Sequence, residues 1–118
     1  MGEETTTLGS IHISPSAVAT IAYYATLQSY GVVGLASRSF ADGLAQSITR
    51  DPTRGVLVHY EESGLDIDVF VIIEYGTRVA SVAHSVANSV HYQVEKAIGL
   101  KVNSVNVHVQ ELRVSTPD

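Results

Sequence analysis

The chain has 118 residues and a formal net charge of −5, from 12 acidic side chains against 7 Lys and Arg. This length is typical of one domain, and we expect a single domain over residues 1–118, with a core at about 8–113 and flexible ends. The acidic balance disfavours nucleic acid as a partner, because such binding depends on cations that neutralise phosphates. Cysteine is absent, which excludes disulfides, thiolate nucleophiles and Cys-ligated zinc.

The apolar runs of this sequence are short. The longest is Val69–Ile73, five residues between Asp68 and Glu74, whereas a membrane-spanning helix needs about 20 residues. The N-terminus lacks the basic region and the apolar core of a signal peptide. We therefore predict no transmembrane segment and a cytoplasmic location.

The first half of the chain predicts a strand, a helix and a second strand, followed by a weak helix. Ser14 is a favourable N-cap, and Pro15 fits the first helical position because its missing amide needs no partner there. Gly31 is a natural stop for this helix. The predicted elements are a strand through Leu8, Ile11 and Ile13, a helix at about 15–29, a short strand through Val32, Val33 and Leu35, and a weak helix through Phe40, Leu44, Ala45 and Ile48.

The next segment predicts a β-hairpin. Turn-forming residues at 50–55 predict a loop, and Val56–Glu61 and Leu65–Tyr75 predict two strands around Ser63-Gly64. Placing Glu62 opposite Leu65 gives one continuous apolar face. In that register the apolar face pairs Val56 with Val71, Val58 with Val69 and Tyr60 with Ile67, and the other face pairs Leu57 with Phe70, His59 with Asp68 and Glu61 with Asp66.

The last third of the chain predicts a long helix and a final strand. Thr77 is a candidate N-cap, valines follow at intervals of three and four residues, and Gly99 closes the helix. Valines then alternate with polar residues over 105–109, which indicates a half-buried strand. The order β-α-β-(α)-β-β-α-β predicts an α+β two-layer sandwich, with a mixed or antiparallel sheet and helices mainly on one face.

One candidate site lies on the polar part of the hairpin. His59, Asp66, Asp68 and Glu61 offer an imidazole and three carboxylates to a divalent ion, and a metal-dependent enzyme would use His59, Asp66 and Asp68. An ordinary polar sheet face is the simpler interpretation, because antiparallel sheets often expose one face to water. We expect His12 and His108 on this face too. The pattern alone therefore assigns no catalytic, cofactor-binding or metal-binding residue.

Two further patterns have simple structural explanations. Gly31-Val32-Val33-Gly34 fits the Gly-x-x-Gly loop by which KH modules bind RNA, but its inner residues are valines. A turn that enters a strand explains both glycines. His84 and His91 lie about 10.5 Å apart along a helix, too far to bind one metal ion, and we expect both to face solvent.

The predicted register also places an apolar patch on the outer side of the sheet. Leu57, Phe70 and Ile72 share this side, and such a patch is normally covered. Either the weak helix around Phe40 covers it within the chain, or a second subunit does. These three residues are the candidate self-association surface of a homo-oligomer.

Several segments together resemble one known family. They are Gly9–Ser14 before an Ala-rich helix, Gly31–Gly34, Gly55-Val56, Asp66–Val69 running to Glu74–Gly76, Val94-Glu95 through Gly99-Leu100, and Val105–Val109. In this order and spacing, over about residues 9–112, the chain is similar to the alkaline shock proteins of Gram-positive bacteria. Residues 36–54 depart from the family pattern, and so does Ala87, where the long helix of such proteins often has glutamine.

This resemblance implies a cytoplasmic, non-enzymatic protein of the cell-envelope or general stress response. It implies an interaction or scaffold role at the cytoplasmic side of the envelope, through a membrane-bound protein partner. It carries over no catalytic residue and no cofactor. Two alternatives stay open, a metal-dependent enzyme that uses His59, Asp66 and Asp68, and a KH-like RNA-binding module.

Overall fold

The computed structural model describes residues 13–37 and 48–114, and it confirms the α+β class. Within these residues three helices and five strands follow one another along the chain. They are helix α1 (Pro15–Leu27), strands β1 (Val32–Ala36) and β2 (Ile48–Thr49), the short helix α2 (Pro52–Gly55), strands β3 (Val56–Glu61) and β4 (Gly64–Glu74), helix α3 (Val79–Ile98) and strand β5 (Val102–Arg113).

Strand β4 is the centre of a mixed sheet. Strand β5 runs parallel to β4 and pairs with it from Leu65 to Glu74. On the opposite edge of β4, strand β3 pairs antiparallel with the first half, and β1 pairs antiparallel with Val71–Ile73. The short strand β2 extends the sheet beyond β1. Strand β4 therefore has neighbours along both of its edges.

Helix α1 begins where the sequence predicts. The hydroxyl oxygen of Ser14 accepts a hydrogen bond from the amide of Ala17 over 3.1 Å, and Pro15 takes the first helical position. The helix ends at Leu27, slightly before the predicted end at 29. These local signals fix the entry of the chain into the helical layer.

Helix α3 is long and rich in valine, as predicted. Its buried side consists of Val82, Val86, Val90 and Val94. Packing on the sheet offsets the modest helix propensity of these β-branched residues. Gly99 ends the helix with φ of +83°, and its amide donates to the carbonyl O of Glu95 over 2.9 Å. The N-cap is Arg78 rather than Thr77, because the Thr77 hydroxyl donates to the carbonyl O of Glu74 over 2.7 Å.

Helices α1 and α3 pack on the same face of the sheet, as predicted. The core between the two layers contains Val18, Ala19, Ala22, Tyr23 and Ala25 of α1, Leu35 of β1, Val56 of β3, Leu65, Ile67, Val69, Val71 and Ile73 of β4, the four buried valines of α3, and Leu100 and Val102. The intervening residues of β4, from Asp66 to Glu74, lie on the other face, which we call the outer face.

Some predicted elements differ in extent. Ile48, predicted in a weak helix, lies in β2. The predicted loop at 50–55 contains helix α2, for which Asp51 is the N-cap. Strand β5 extends well beyond the alternation at 105–109. The predicted first strand up to residue 12 and the predicted weak helix up to residue 47 lie outside the described residues.

The predicted hairpin register is wrong by two residues. Because side chains alternate between the two faces, each side chain still lies on the predicted face. Glu61 pairs with Gly64, so the turn is Glu62-Ser63. A Cβ atom at Gly64 would collide with the backbone O of Lys101. Gly64 therefore permits a close approach to the chain that enters β5, and it is not part of the turn. The observed pairs are Val56 with Val69, Leu57 with Asp68, Val58 with Ile67, His59 with Asp66 and Tyr60 with Leu65.

Candidate functional site on the outer face of the sheet

The outer face brings together most of the residues that the sequence analysis selects. Side chains pair across β4 and β5 in parallel register, Asp66 with Ser104, Asp68 with Asn106, Phe70 with His108 and Ile72 with Glu111. Strand β3 adds His59 opposite Asp66 and Leu57 opposite Asp68. The face therefore changes from acidic near the hairpin to aromatic and apolar further along β4.

Both carboxylates near the hairpin already have a hydrogen-bond partner on β5. Oδ1 of Asp66 accepts from the hydroxyl of Ser104 over 2.8 Å. Oδ1 of Asp68 lies 2.9 Å from Nε2 of His108, whose side chain is 44% exposed. Exposed pairs of this kind contribute at most about 1 kcal/mol. These contacts therefore connect β4 and β5 on the outer face.

The residues of the metal hypothesis are only partly brought together. His59 faces Asp66 across the hairpin, whereas Asp68 faces Leu57 and contacts His108. Within residues 13–37 and 48–114, no three His, Asp or Glu side chains lie close enough together to hold a metal ion. The structure thus provides no donor set for the metal-dependent enzyme in the part it describes, and the predicted His12 lies outside that part.

Phe70 and His108 form an aromatic stack on this face. Their ring centroids are 4.7 Å apart and their planes differ by 13°. Phe70 and Leu57 are both half-buried, and both lie on the face predicted from the alternation of the strands. The stack itself could not be derived from the sequence, because it depends on the parallel register of β4 and β5.

Ile72, the third residue of the candidate self-association surface, is fully buried within the single chain. It pairs with Gly34 of β1 and lies outside the main core cluster. A side chain at Gly34 would lie 2.9 Å from Ile48, so Ile48 covers this position of the sheet. Ile72 is therefore closed to a second copy, whereas Leu57 and Phe70 stay partly accessible.

Glu111 and Arg113 form a two-point ion pair beyond the aromatic stack. Nε and Nη2 of Arg113 donate to the two carboxylate oxygens of Glu111, each over 2.8 Å. These hydrogen bonds lower the pKa of Glu111 and raise the pKa of Arg113. The pair is consequently charged over a wide pH range, and its two charges compensate each other.

The Gly31–Gly34 segment does not form a nucleic-acid-binding loop. Gly31 has φ of +90° and connects α1 to β1. Gly34 lies inside β1, opposite Ile72. The segment is a turn that enters a strand, and the KH hypothesis loses the loop on which it depends.

A network at the start of β5 was missed by the sequence analysis. Nε2 of His91 donates to the carbonyl O of Val102 over 3.0 Å, and Oε2 of Glu95 accepts from the amide of Val102 over 2.8 Å. His91 was expected to face solvent; it is half-buried instead, while His84 is exposed as expected. The spacing of His91 and Glu95 indicates a shared helix side, but no sequence signal identifies Val102 as their partner.

No helix in the described ranges is both long enough and apolar enough to span a bilayer.

Together these features define an α+β domain with two helices on one face of a mixed sheet and a partly aromatic outer face. The family model of the alkaline shock protein 23 family, described as having a cell envelope-related function, matches residues 3–114. The chain belongs to this family, which confirms the resemblance drawn from its motifs.

Curated relatives cover nearly the whole chain. The uncharacterized protein YloU of Bacillus subtilis (strain 168) is 41% identical over 114 residues, which is 95% of each chain. The uncharacterized protein Spy1614 of Streptococcus pyogenes serotype M6 is 32% identical over 108 residues, 90% of this chain and 89% of the relative. The names of these relatives state no activity.

Solved structures share the fold at low sequence identity. A variant of the MamM-CTD aligns with a TM-score of 0.52 and 16% identity, over 85% of this chain and 100% of that chain. The copper form of another MamM CTD variant aligns with a TM-score of 0.52 and 15% identity over the same shares. At this identity the likeness shows the fold alone.

Proposed function

We propose that this chain is a non-enzymatic interaction module, a scaffold of the stress response that acts at the cytoplasmic side of the cell envelope through a membrane-bound protein partner. The cell envelope-related function of the family supports the site of action. The observation that carries the proposal is the Phe70–His108 stack on the outer face. A partly accessible aromatic pair within a polar rim is typical of protein interfaces.

The charge of this face indicates what the partner contributes. Asp68 contacts His108 of the stack, Asp66 lies further along the same face, and the whole chain has a net charge of −5. Anionic lipid surfaces attract basic segments, so this acidic face is poorly suited to direct contact with a membrane. A protein partner would place an apolar or aromatic side chain on Phe70 and cationic side chains near the two carboxylates.

A vesicle-binding assay tests this proposal. Purified chain is mixed with native membrane vesicles of a bacterium that contains it, and with protein-free vesicles made from lipids of the same membranes. We expect saturable binding to the native vesicles, loss of that binding after the vesicles are treated with protease, and no binding to the lipid vesicles.

Two variants locate the binding surface. Phe70→Ala is expected to weaken binding to native vesicles by about 30-fold or more, the range of an interface hot spot. Tyr92→Ala is the matched control, because Tyr92 is an exposed aromatic on α3, in the other layer. Circular dichroism checks that both variants are folded. Equal binding to native and protein-free vesicles, or equal binding by both variants, would contradict the proposal.

A further inference from the structure

We propose that β5 is a self-association edge, at which two copies of this chain pair their β5 strands antiparallel about a two-fold axis and join their sheets. His108 belongs to β5, but the proposed contact uses the backbone edge and the core-facing side chains of this strand rather than the stacked rings on the outer face. The inference therefore goes beyond the proposed function and can fail independently of it.

Strand β5 is a long strand at the edge of the sheet. It contains 12 residues, and β4 pairs with one of its sides. No strand in the described ranges pairs with its other side. Unpaired strand edges present amide and carbonyl groups to other chains, and proteins usually shorten, charge or cover them. An edge of this length therefore needs an occupant.

The two ends of β5 define which stretch is available for pairing. At its start, His91 and Glu95 bind both backbone groups of Val102, which closes the edge there. Near its end the pairing with β4 shifts by one residue between Val109 and Glu111. Regular strand geometry thus extends over Ser104–Val109.

The core-facing side chains of β5 become more exposed along the strand. Val102 is buried, Val105 and Val107 are half-buried, and Val109 and Leu112 are 37% and 45% exposed. The hydrophobic layer between the sheet and α3 is therefore open at this edge. A row of exposed apolar residues beside an unpaired edge indicates a protein interaction site.

The charge of β5 favours a second copy as the occupant. Glu111 and Arg113 are the permanently charged residues of this strand, and they pair with each other. Two copies of an acidic chain can therefore bring these edges together without placing like charges opposite each other. Strand β3 is a contrasting edge, because it is short and ends in Glu61 next to Glu62.

The alternation of core-facing and outer-face residues in β5 also specifies the register in which two β5 strands would pair. Core-facing residues must lie opposite core-facing residues, because a slip by one position would turn apolar side chains to the outer face. A two-fold axis at Val107 places Val105 of one copy opposite Val109 of the other. The same axis places Asn106 opposite His108, so the two His108 rings do not face each other. Closed two-fold association is the commonest form of homo-oligomer.

Sedimentation of matched charge variants tests the edge. We expect the unmodified chain to be a dimer at high micromolar concentration. Val109→Lys is expected to raise the dissociation constant by about 30-fold or more, because a lysine would enter each of the two apolar Val105–Val109 contacts. Leu27→Lys is the control, since Leu27 on α1 has the same exposure of 37% as Val109, and its dimer should be unchanged. Urea unfolding verifies that both variants are folded.

A disulfide experiment tests the register. The chain contains no cysteine, so Val107→Cys introduces a single thiol at the proposed axis. Residues directly opposite in an antiparallel pair have Cα atoms about 4.5–5.5 Å apart, which suits a disulfide. Oxidation should link this variant into covalent dimers. Val58→Cys on β3 is the control and should stay unlinked.

Two outcomes would overturn the proposal. One is an unmodified chain that sediments as a monomer at high micromolar concentration. The other is a dimer that Val109→Lys leaves intact while Phe70→Ala dissociates it, because the interface would then be the outer face. The vesicle assay is independent of both, since it measures binding to a membrane-bound partner and not between copies.

Discussion

The hydroxyl of Tyr23 donates a hydrogen bond to the carbonyl O of Thr49 over 2.9 Å, in a buried position between α1 and β2. This bond joins the helical layer to the shortest strand of the sheet in the described ranges. A buried carbonyl that loses its donor cannot bond to water instead, so losing this bond lowers the free energy of unfolding.

Tyr23→Phe is therefore expected to lower the free energy of unfolding by about 1–2 kcal/mol, because the carbonyl of Thr49 would be left without a donor. Tyr24→Phe is the control, since Tyr24 is 55% exposed, and it should change stability by less than about 0.5 kcal/mol. Urea unfolding of both variants measures the difference. Equal effects would show that the buried bond is not the cause.

Tyr23 and Tyr60 also predict a loss of stability in alkali. Burial raises the pKa of both phenols above the ordinary value of 10.0, and for Tyr23 the neighbouring Tyr24 adds to the shift. Below pH 10 neither state is ionised, so the full stability is present. As the pH rises above 10 through the folded-state pKa values, the unfolded chain releases these protons more readily, and the folded state loses stability. Unfolding midpoints from pH 8 to 12 should be flat and then decline, and less steeply in Tyr23→Phe than in Tyr24→Phe.

Gly64 and Gly76 are expected to differ in how much stability an alanine substitution costs. The φ of Gly64 is +147°, and a side chain there would collide with the backbone O of Lys101. Gly76 has φ of +97° with open space around the same position. We expect Gly64→Ala to cost about 3 kcal/mol, from both strain and collision, and Gly76→Ala about 1 kcal/mol from strain alone. Comparable losses in thermal unfolding would contradict the close approach of β4 to the start of β5.

Asp66→Lys distinguishes the observed hairpin register from the predicted one. In the predicted register Asp66 faces Glu61, so a lysine would relieve repulsion and stabilise the domain. In the observed register Asp66 faces His59 and accepts from Ser104, so the substitution should destabilise the domain by about 1 kcal/mol. Glu61→Lys, opposite Gly64, should be nearly neutral. A gain in stability from Asp66→Lys would favour the predicted register.

Elements with strong local signals were predictable from the sequence. The start of α1 follows from Ser14 and Pro15, and the end of α3 from Gly99, because caps act within one turn. Side-chain faces in the hairpin were also correct, since alternation fixes them. The choice between helical and extended structure at Ile48 was not correct, because a two-residue strand has no period to detect.

Contacts between residues far apart in the chain could not be predicted from the sequence. Shifting the hairpin by two positions preserves every face, so alternation could not distinguish the two registers. The close approach of Lys101 to Gly64 likewise joins residues far apart in the chain. The same limit applies to the outer face, where the Phe70–His108 stack and the burial of Ile72 depend on neighbours from other strands.

The central position of β4 has a consequence for the order of folding. Its pairing with β3 through a tight turn, and with β5 through α3, involves one contiguous stretch of chain, residues 56–113. Its pairing with β1 joins Val32 to Ile73, a separation similar to that of Leu65 and Val102 in the pairing with β5. The β3 pairing is therefore the local one, and contacts between distant residues form more slowly. We therefore expect the β3–β4 hairpin to form first, with β5 and β1 pairing with β4 later. Amide protons of β4 should then be the slowest to exchange with solvent, and those of β2 should exchange through local opening.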